Sequence, residues 1–309
     1  MTRSKRRSTQ APVEVEKTDE QRSRAWAERL ERSRLARSLI EPLRTLDSDE
    51  APVEKPDGCL RLLTLNVAHG RRHVPHQALL WREAVERNLL EIATMLRRHA
   101  VDVVALQEAD GPSSWSGNFD HVATLSRLAE LKAFYRGDHN PFGIGRLSLA
   151  SGTALLARLP LDNPRSHRFD ASWRDTKGFV TAAVKVPEWG GVEIDVVSVH
   201  LDFLTPAVRR RQIHAMVEEL RGHRRPRVVL GDLNCCWERE PRTMELLAEK
   251  LDVHAFEPES CAPTYPSLRP RRRLDWILIS PELSFRTYQN VRARLSDHQG
   301  VVADLVLGA

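Results

Sequence analysis

The sequence predicts a layered α/β sandwich, and three observations lead to this fold class. Short β-rich runs alternate with helical segments from Cys59 to the end of the chain, as in α/β proteins. Several of the strands are apolar along their whole length, so we expect both of their faces to be buried. In the middle of the chain, strands follow one another without helices between them, which argues against a purely parallel Rossmann sheet.

Composition excludes several classes of protein. The chain has 309 residues, of which 41% are hydrophobic and 29% charged, as in globular proteins that bury a sizeable core. No apolar run approaches the roughly 18 residues that cross a bilayer, and none follows the basic N-terminus, so neither membrane insertion nor export is predicted. The four cysteines are too few for a disulfide framework, and none are spaced as zinc ligands. A cytoplasmic protein without structural zinc is the simplest interpretation.

The net charge of +5 and the isoelectric point near 9.2 favour anionic partners. Nucleic acid, phospholipid head groups and small phosphate esters are all compatible with this charge. No obligate protein partner is evident from the sequence.

An N-terminal extension, residues 1–57, differs from the rest because it is rich in arginine and poor in β-branched residues. Thr18 and Gln21 resemble a capping box, and large apolar residues follow at spacings of four or five: Trp26, Leu30, Leu35, Leu39 and Leu43. We predict one amphipathic helix with a disordered basic tip. This helix either contacts nucleic acid or an anionic membrane, or docks on the main domain with its charged face exposed.

The main domain, residues 58–309, begins with two strand and helix pairs. "CLRLLTLN" predicts the first strand, and residues 77–99 predict a long helix. "VDVVALQE" predicts the second strand, and "HVATLSRLAELKAF", residues 121–134, predicts the second helix.

Three consecutive strands follow, with the sequences "GTALLAR", "FVTAAVKV" and "VEIDVVSVH". The last two are close enough along the chain to pair as antiparallel neighbours. Pro206 to Arg221 predicts a helix with proline in its first turn and Gly222 at its end. "RVVLGD", "RLDWILIS" and "VVADLVL" complete the strands, and a shorter helix lies near residues 243–250.

Polar residues stand at the ends of most of these apolar strands: Asn66, Glu108, His200, Asp202, Asp232, Asn234, Asp275, Asp297 and His298. A single carboxylate at a strand end is more often a turn former or a helix cap than a catalytic group. Together, however, these strands would bring several like charges to one edge of a sheet. Such charges repel one another unless a cation is present.

The residue types indicate which cation and which chemistry. Oxygen ligands select a hard metal such as Mg²⁺ or Mn²⁺, whereas zinc would require more histidine or thiolate. A hard metal neutralises a phosphate oxygen, while a histidine oriented by an aspartate transfers a proton or stabilises charge. The strand ends therefore predict phosphoester hydrolysis.

Seven segments in this order resemble one family: "TLNVAHG", "LQEAD", "GTALLARLP", "VVSVHLDF", "VVLGDLNC", "RRRLDWILIS" and "LSDHQGVVADL". They are similar to the endonuclease/exonuclease/phosphatase superfamily of metal-dependent phosphoesterases, and the resemblance runs from Cys59 to Leu307. It implies a four-layer α/β sandwich of the DNase type, with two packed mixed β-sheets flanked by helices and an active site at one end.

The same resemblance implies a role for each strand-end residue. Asn66 and Glu108 would bind Mg²⁺ or Mn²⁺, with Asp297 as a further ligand, directly or through water. His298 would be the catalytic histidine, and Asp275 would orient it. Asp232 would align or deprotonate the attacking water, and the amide of Asn234 would steady that carboxylate. His200 would donate to a phosphate oxygen.

Other polar residues have weaker claims. We expect Asp202 to cap the helix that begins near Pro206, and Cys235 and Cys236 to pack at a strand end. Lys177 either touches phosphate or is a solvated turn residue. Multiple guanidiniums beside Asp275 would favour an anionic substrate, and they belong to Arg269, Arg271, Arg272 and Arg273.

The substrate is the least determined property. His200 in "SVHLDF" and the absence of a tryptophan-rich stretch near "TYPS" argue against an abasic-site endonuclease. We predict a phosphodiesterase acting on nucleic acid, because the chain is basic, although no aromatic ladder for bases is visible. The alternatives are a phospholipid phosphodiesterase of the sphingomyelinase type, a phosphomonoesterase, or a non-catalytic binding protein.

Overall fold

The computed structural model describes residues 52–137, 139, 150–170, 177–259 and 262–308. The amphipathic helix predicted for the N-terminal extension lies outside these residues, as does Cys261. None of the helices in the described ranges is long and apolar enough to cross a membrane.

The main domain contains twelve strands and four α-helices among its described residues. The strands are β1 (Leu60–Asn66), β2 (Val103–Asp110), β3 (Ala133–Arg136), β4 (Ser151–Ala157), β5 (Asp162–Arg168), β6 (Gly178–Val186), β7 (Val192–His200), β8 (Arg227–Asp232), β9 (His254–Ala255), β10 (Asp275–Ile279), β11 (Leu283–Val291) and β12 (Gly300–Leu307). The helices are α1 (Arg82–Arg98), α2 (His121–Leu128), α3 (Pro206–Glu219) and α4 (Pro241–Leu251).

The strands form two mixed sheets of six strands each. The first sheet has the order β11-β12-β1-β2-β4-β3, and the second has the order β5-β6-β7-β8-β10-β9. Each sheet contains one parallel pair, β1 with β2 and β7 with β8, joined through α1 and α3. Parallel neighbours require such a crossover, whereas the antiparallel pairing of β6 with β7 needs only the short connection that the sequence indicated.

Three apolar layers hold the sheets and helices together. Because neighbouring residues of a strand face opposite sides, Leu62 packs between the two sheets, while Leu63 packs against Leu89 of α1 in an outer core. On the other side, Val197 of β7 packs with Ile213 of α3. The layers therefore run helix, sheet, sheet, helix, which confirms the predicted four-layer sandwich.

Two predicted helices are wrong in extent. The first was predicted over residues 77–99, but α1 begins only at Arg82, after a separate 3-10 turn at residues 77–79. We expected a helix over residues 121–134, but α2 ends at Leu128 and the chain continues into the strand β3. Glu130 has φ of 58°, in the left-handed region, and the backbone N–H of Leu131 donates to the carbonyl of Ser126 at 2.9 Å. This hydrogen bond closes the helix end, as in a Schellman turn, so the apolar residues that follow join the first sheet.

The sequence analysis missed β5, β9 and β11 as well as β3. β5 and β11 are edge strands whose side chains are mostly partly or fully exposed, and β9 has only two residues. An edge strand with polar side chains has no continuous apolar run, so hydrophobic periodicity does not reveal it.

Arg61 of β1 is a buried arginine with five protein acceptors. Its Nε and Nη2 donate to the carboxylate of Asp304 at 2.6 and 2.9 Å, and its remaining N–H groups donate to the carbonyls of Val53, Glu54 and His99. Arg61 and Asp304 are both no more than 3% exposed. The hydrogen bonds of the guanidinium therefore anchor residues 53 and 54 to the first sheet.

Replacing Arg61 by alanine is expected to lower the free energy of unfolding by about 3–5 kcal/mol, because it leaves Asp304 buried without its countercharge. Urea unfolding followed by circular dichroism measures the change. As a control, Arg221→Ala removes an exposed ion pair with Glu218 and should cost less than about 1 kcal/mol. Equal midpoints for the two variants would contradict this account.

Candidate functional site

One cavity of about 260 Å³ lies where the two sheets end together. The C-terminal ends of β1, β2, β7 and β8 meet there, along with the segments that lead into β10 and β12, because β10 is antiparallel to β8 and β12 to β1. The cavity is lined by most of the residues that the sequence singled out: Asn66, Glu108, Lys177, His200, Asp232, Asn234, Arg272, Asp297 and His298.

His298 and Asp275 form a hydrogen-bonded pair at this cavity. His298 Nδ1 lies 2.9 Å from Asp275 Oδ2, and the hydroxyl of Thr264 donates to the same oxygen at 2.6 Å. The ring of Tyr265 packs on the imidazole at a centroid distance of 4.7 Å, and Nε2 of His298 lies 3.8 Å from Asp232 Oδ2. Although burial lowers the pKa of His298, the charges of Asp275 and Asp232 raise it to about 10.

Asp232 accepts hydrogen bonds at both of its carboxylate oxygens. Asn66 Nδ2 donates to Oδ2 at 3.1 Å, and the backbone N–H of Asn234 donates to Oδ1 at 2.9 Å. His200 Nε2 lies 3.4 Å from the same Oδ2. Burial raises the pKa of Asp232 to about 6, against the opposing effect of the charge on His298.

The backbone around Asp232 explains the local sequence. A Cβ atom at Gly231 would lie 1.9 Å from the carbonyl oxygen of Val199, so only glycine lets β8 approach β7 here. Asn234 has φ of 52°, which asparagine tolerates better than most residues, and its side chain donates to the carbonyl of Leu201 at 3.0 Å. Asn234 therefore fixes the turn that holds Asp232.

Glu108 reaches the cavity from an irregular point of β2. Its φ is 51°, and the pairing register of β2 with β4 shifts between Leu106 and Ala109. Such a bulge redirects a side chain that regular strand geometry would point elsewhere. Glu108 Oε1 lies 3.7 Å from Lys177 Nζ, and Oε2 lies 3.3 Å from His69 Nε2. Burial raises the pKa of Glu108, but these positive neighbours bring it well below its usual range.

Two groups of side chains merit a test as cation sites. Asp232, Asp275 and His298 have ligand atoms within 4.8 Å of one another, but Nδ1 of His298 already lies 2.9 Å from Asp275 Oδ2. Asn66, Glu108 and Asp297 line the same cavity and offer oxygen ligands, of which Asn66 Oδ1 also accepts from the backbone N–H of Ala68 at 3.0 Å and Asp297 Oδ2 accepts from Arg71. Two carboxylates and an amide oxygen in one cavity fit a hard cation.

Lys177 lies inside the cavity and not on a solvated turn. Its Nζ is 3.0 and 3.2 Å from the two ring nitrogens of His200 and 5.9 Å from the centre of the Phe203 ring. Burial and the charge of Lys177 hold the pKa of His200 well below its usual range, so the imidazole is neutral beside the ammonium.

The arginine run divides between two places. Arg272 lines the cavity with its guanidinium 5.1 Å from the centre of the Tyr265 ring. Arg273 is buried elsewhere, 3.9 Å from the centre of the Trp276 ring, and donates to the carbonyls of Phe256 and Glu257. Arg269 and Arg271 are exposed and do not line the cavity. The structure therefore brings only one of the four arginines to the expected place.

The remaining candidates have structural contacts. Asp202 Oδ1 accepts from the backbone N–H groups of Leu204 and Thr205, which closes a turn just before α3. The predicted capping role is wrong, because the N-cap of α3 is Thr205 and, among the described residues, no side chain bonds to the first N–H groups of the helix. Cys235 and Cys236 are buried in the core that packs against α3 and α4.

Sequence reasoning missed several residues of the cavity. Arg71 donates to Asp297 Oδ2 at 2.5 Å, and Tyr265 and Phe203 line the cavity with it. His69 contacts Glu108 from a neighbouring cavity of about 130 Å³. His69 and Arg71 stand within five positions of Asn66, so the polar residues after β1 were a signal that could have found them.

A sequence model described as the endonuclease/exonuclease/phosphatase family matches residues 63–298 of the chain. The comparison with curated proteins gives no match. An endonuclease/exonuclease/phosphatase from Beutenbergia cavernae is similar in structure, with a TM-score of 0.66 and 20% identity over 81% of this chain and 72% of that one.

Two further solved structures have the same fold. Sphingomyelinase C from Streptomyces griseocarneus has a TM-score of 0.57 and 19% identity, covering 81% of this chain and 99% of its own. TDP2 from D. rerio, complexed with a single-strand DNA product, has a TM-score of 0.59 and 15% identity with the same coverage, 81% and 99%. At these identities the likeness establishes the fold alone.

Proposed function

Because the chain belongs to the endonuclease/exonuclease/phosphatase family, a family of phosphoester hydrolases, we propose that it is a divalent-metal-dependent phosphodiesterase. One observation carries the proposal. Asp275 holds Nδ1 of His298 at 2.9 Å, and Nε2 of the same imidazole lies 3.8 Å from the carboxylate of Asp232. A histidine oriented by one carboxylate and opposed to another is the arrangement that acid and base catalysis requires.

Asn66, Glu108 and Asp297 would hold Mg²⁺ or Mn²⁺, because together they present oxygen ligands in one cavity. The metal would supply charge stabilisation at the phosphate oxygens when bound. Lys177 lies 3.7 Å from Glu108 and would hold a non-bridging oxygen of the phosphate beside the metal ligands.

Asp232 would orient and deprotonate the attacking water, since two donated hydrogen bonds fix its carboxylate. The water oxygen forms the new P–O bond and its proton passes to Asp232, while the bond to the leaving oxygen breaks and that oxygen takes a proton from solvent. His298, held by Asp275, would donate a hydrogen bond to a phosphate oxygen through Nε2, and His200 would donate to another.

Nucleic acid is the substrate class we favour. Arg71, Lys177 and Arg272 add positive charge at a cavity of a chain with net charge +5, which suits a polyanion. The exposed ring of Phe203 borders the same cavity and offers a face on which a base would stack. The structural relative that was solved with single-strand DNA adds support for nucleic acid as a substrate.

A phospholipid diester is the second candidate. Phe203 and Leu204 are 63% and 66% exposed, and Phe203 lines the cavity. Adjacent exposed apolar side chains at a cavity are a feature of surfaces that contact lipid. The similarity to a sphingomyelinase adds support for this alternative.

The first experiment compares hydrolysis of bis-p-nitrophenyl phosphate with that of p-nitrophenyl phosphate, in Mg²⁺, in Mn²⁺ and in EDTA. We expect cleavage of the diester that EDTA abolishes and either metal restores. Single-stranded DNA, RNA and sphingomyelin vesicles then separate the two substrate classes. Cleavage of the monoester alone would overturn the diesterase proposal in favour of a phosphomonoesterase.

Two matched variants test the metal assignment in that assay. Glu108→Gln should raise the concentration of Mn²⁺ needed for half-maximal activity, because an amide replaces an ionised ligand. Glu130→Gln makes the same substitution at an exposed residue whose φ of 58° also lies in the left-handed region. Identical metal dependence in the two variants would contradict a role for Glu108 as a ligand.

A further inference from the structure

A chain of three side chains, His69, Asp110 and Trp115, leads away from Glu108. His69 Nε2 lies 3.3 Å from Glu108 Oε2, and His69 Nδ1 lies 2.7 Å from Asp110 Oδ1. The second oxygen of Asp110 accepts from Trp115 Nε1 at 3.1 Å. His69 and Asp110 therefore each have a partner on both sides, Trp115 ends the chain, and Glu108 stands at the end that lines the cavity.

This arrangement repeats the geometry of the other histidine at the cavity. His298 lies between Asp275 and Asp232, just as His69 lies between Asp110 and Glu108. In both pairs the outer aspartate is fully buried. A buried carboxylate bonded to one ring nitrogen fixes the orientation of the imidazole, so the other nitrogen has a defined target.

The backbone also directs His69 toward Glu108. Ala68, His69 and Gly70 have φ angles of 47°, 53° and 72°, three successive residues in the left-handed region. A Cβ atom at Gly70 would lie 2.7 Å from Val85, so the turn requires glycine there. Left-handed residues are costly and persist where the surroundings determine them, and Glu108 itself has φ of 51°. The side chains of two left-handed residues thus meet, since His69 Nε2 lies 3.3 Å from Glu108 Oε2.

We propose that His69, Asp110 and Trp115 are positioning residues that hold Glu108 in the orientation in which it binds the divalent metal. This proposal rests on the proposed function, since it assigns Glu108 as a metal ligand. Outer partners of metal ligands fix ligand orientation, and their loss typically weakens metal binding by about 10–100-fold.

The test measures binding of Mn²⁺ alone by isothermal titration calorimetry, without substrate. His69→Gln and Asp110→Asn should each raise the dissociation constant by about 10–100-fold. Trp115→Phe keeps the ring and removes only the Nε1 donor, so its loss of affinity should be smaller. Unfolding midpoints in EDTA identify a variant that does not fold, and Trp115→Phe keeps the proposal testable in that case.

Kinetics provide a second readout that separates positioning from substrate contact. At saturating Mn²⁺, His69→Gln should regain a kcat close to that of the unchanged protein, with the same KM for bis-p-nitrophenyl phosphate. The matched control is His76→Gln. The centres of the His76 and Trp115 rings lie 6.0 Å apart, but Nδ1 of His76 accepts from the backbone N–H of Ala78 and does not bond to His69, Asp110 or Trp115. That variant should bind Mn²⁺ normally.

Two results would overturn the proposal. An unchanged Mn²⁺ dissociation constant in His69→Gln would show that Glu108 does not depend on this chain. A raised KM with unchanged metal affinity would make His69 a substrate contact instead. Failure of the proposed function looks different, because the unchanged protein would then bind no Mn²⁺ at this site, and the assignment of Glu108 would fall with it.

Discussion

Replacing His298 by glutamine is expected to lower kcat for a phosphodiester by about 10²–10⁴-fold, the usual contribution of a positioned acid or base. Glutamine retains a donor near the phosphate but cannot carry the charge that Asp275 and Asp232 stabilise on the imidazole. The measurement is steady-state hydrolysis at saturating Mn²⁺. The Mn²⁺ dissociation constant is measured in parallel and should change little.

Asp275→Asn should reduce kcat by a similar factor, because the amide can no longer hold His298 Nδ1 as the carboxylate does at 2.9 Å. Residues that act as a unit are not additive, so the double variant should be no slower than the slower single variant. His223→Gln is the matched control, since His223 Nδ1 also lies 2.9 Å from a buried aspartate, Asp195, but away from the cavity. Near-normal turnover in the His298 variant would contradict the assignment.

The strand ends were predictable because they depend on a pattern that the chain carries locally. Apolar runs such as the one before Asp232 predict buried strands. A polar residue that ends such a run therefore lies where the strands of the sheet end. The resemblance to a known family then ordered these residues by role. Asn66, Glu108, Asp232 and His298 line one cavity for this reason.

Properties that depend on direction were less predictable. Arg272 and Arg273 are adjacent in sequence, yet one guanidinium lies over Tyr265 at the cavity and the other over Trp276 in a buried contact. Successive residues of an extended chain point to opposite sides, so charge alone cannot say which arginine reaches the substrate. The link between Glu108 and His69 depends on two left-handed backbone positions that the sequence does not announce.

Residues from both sheets line the cavity or contact its lining, so the site depends on how the two sheets pack together. Asn66 and Glu108 come from the first sheet, whereas His200, Asp232 and Asp275 come from the second. The hydrogen bond from Asn66 Nδ2 to Asp232 Oδ2 crosses between the sheets at 3.1 Å. Packing between the sheets therefore sets the distance between the proposed metal ligands and the residues proposed to act on water.

Asp232→Asn is expected to lower kcat by about 10²–10⁴-fold, since the variant loses the carboxylate to which the proposed function assigns the orientation and deprotonation of water. The substitution keeps the shape of the side chain but leaves only one acceptor oxygen. Asn66 and Asn234 each donate to a separate oxygen of Asp232, so one of these donors would face an amide nitrogen. A change in the position of Asn66 would then weaken Mn²⁺ binding as well, which calorimetry would detect.

The matched control for this variant is Asp195→Asn, which removes another buried carboxylate with hydrogen-bonded neighbours on the same sheet. Both substitutions remove a buried charge, so both can alter the unfolding midpoint in urea. Only Asp232→Asn should reduce kcat, because Asp195 does not line the cavity. A loss of turnover in both variants, in proportion to their loss of stability, would mean that Asp232 supports the fold and not the chemistry. Loss confined to Asp232→Asn would make the carboxylate that ends the buried strand β8 the group that activates water.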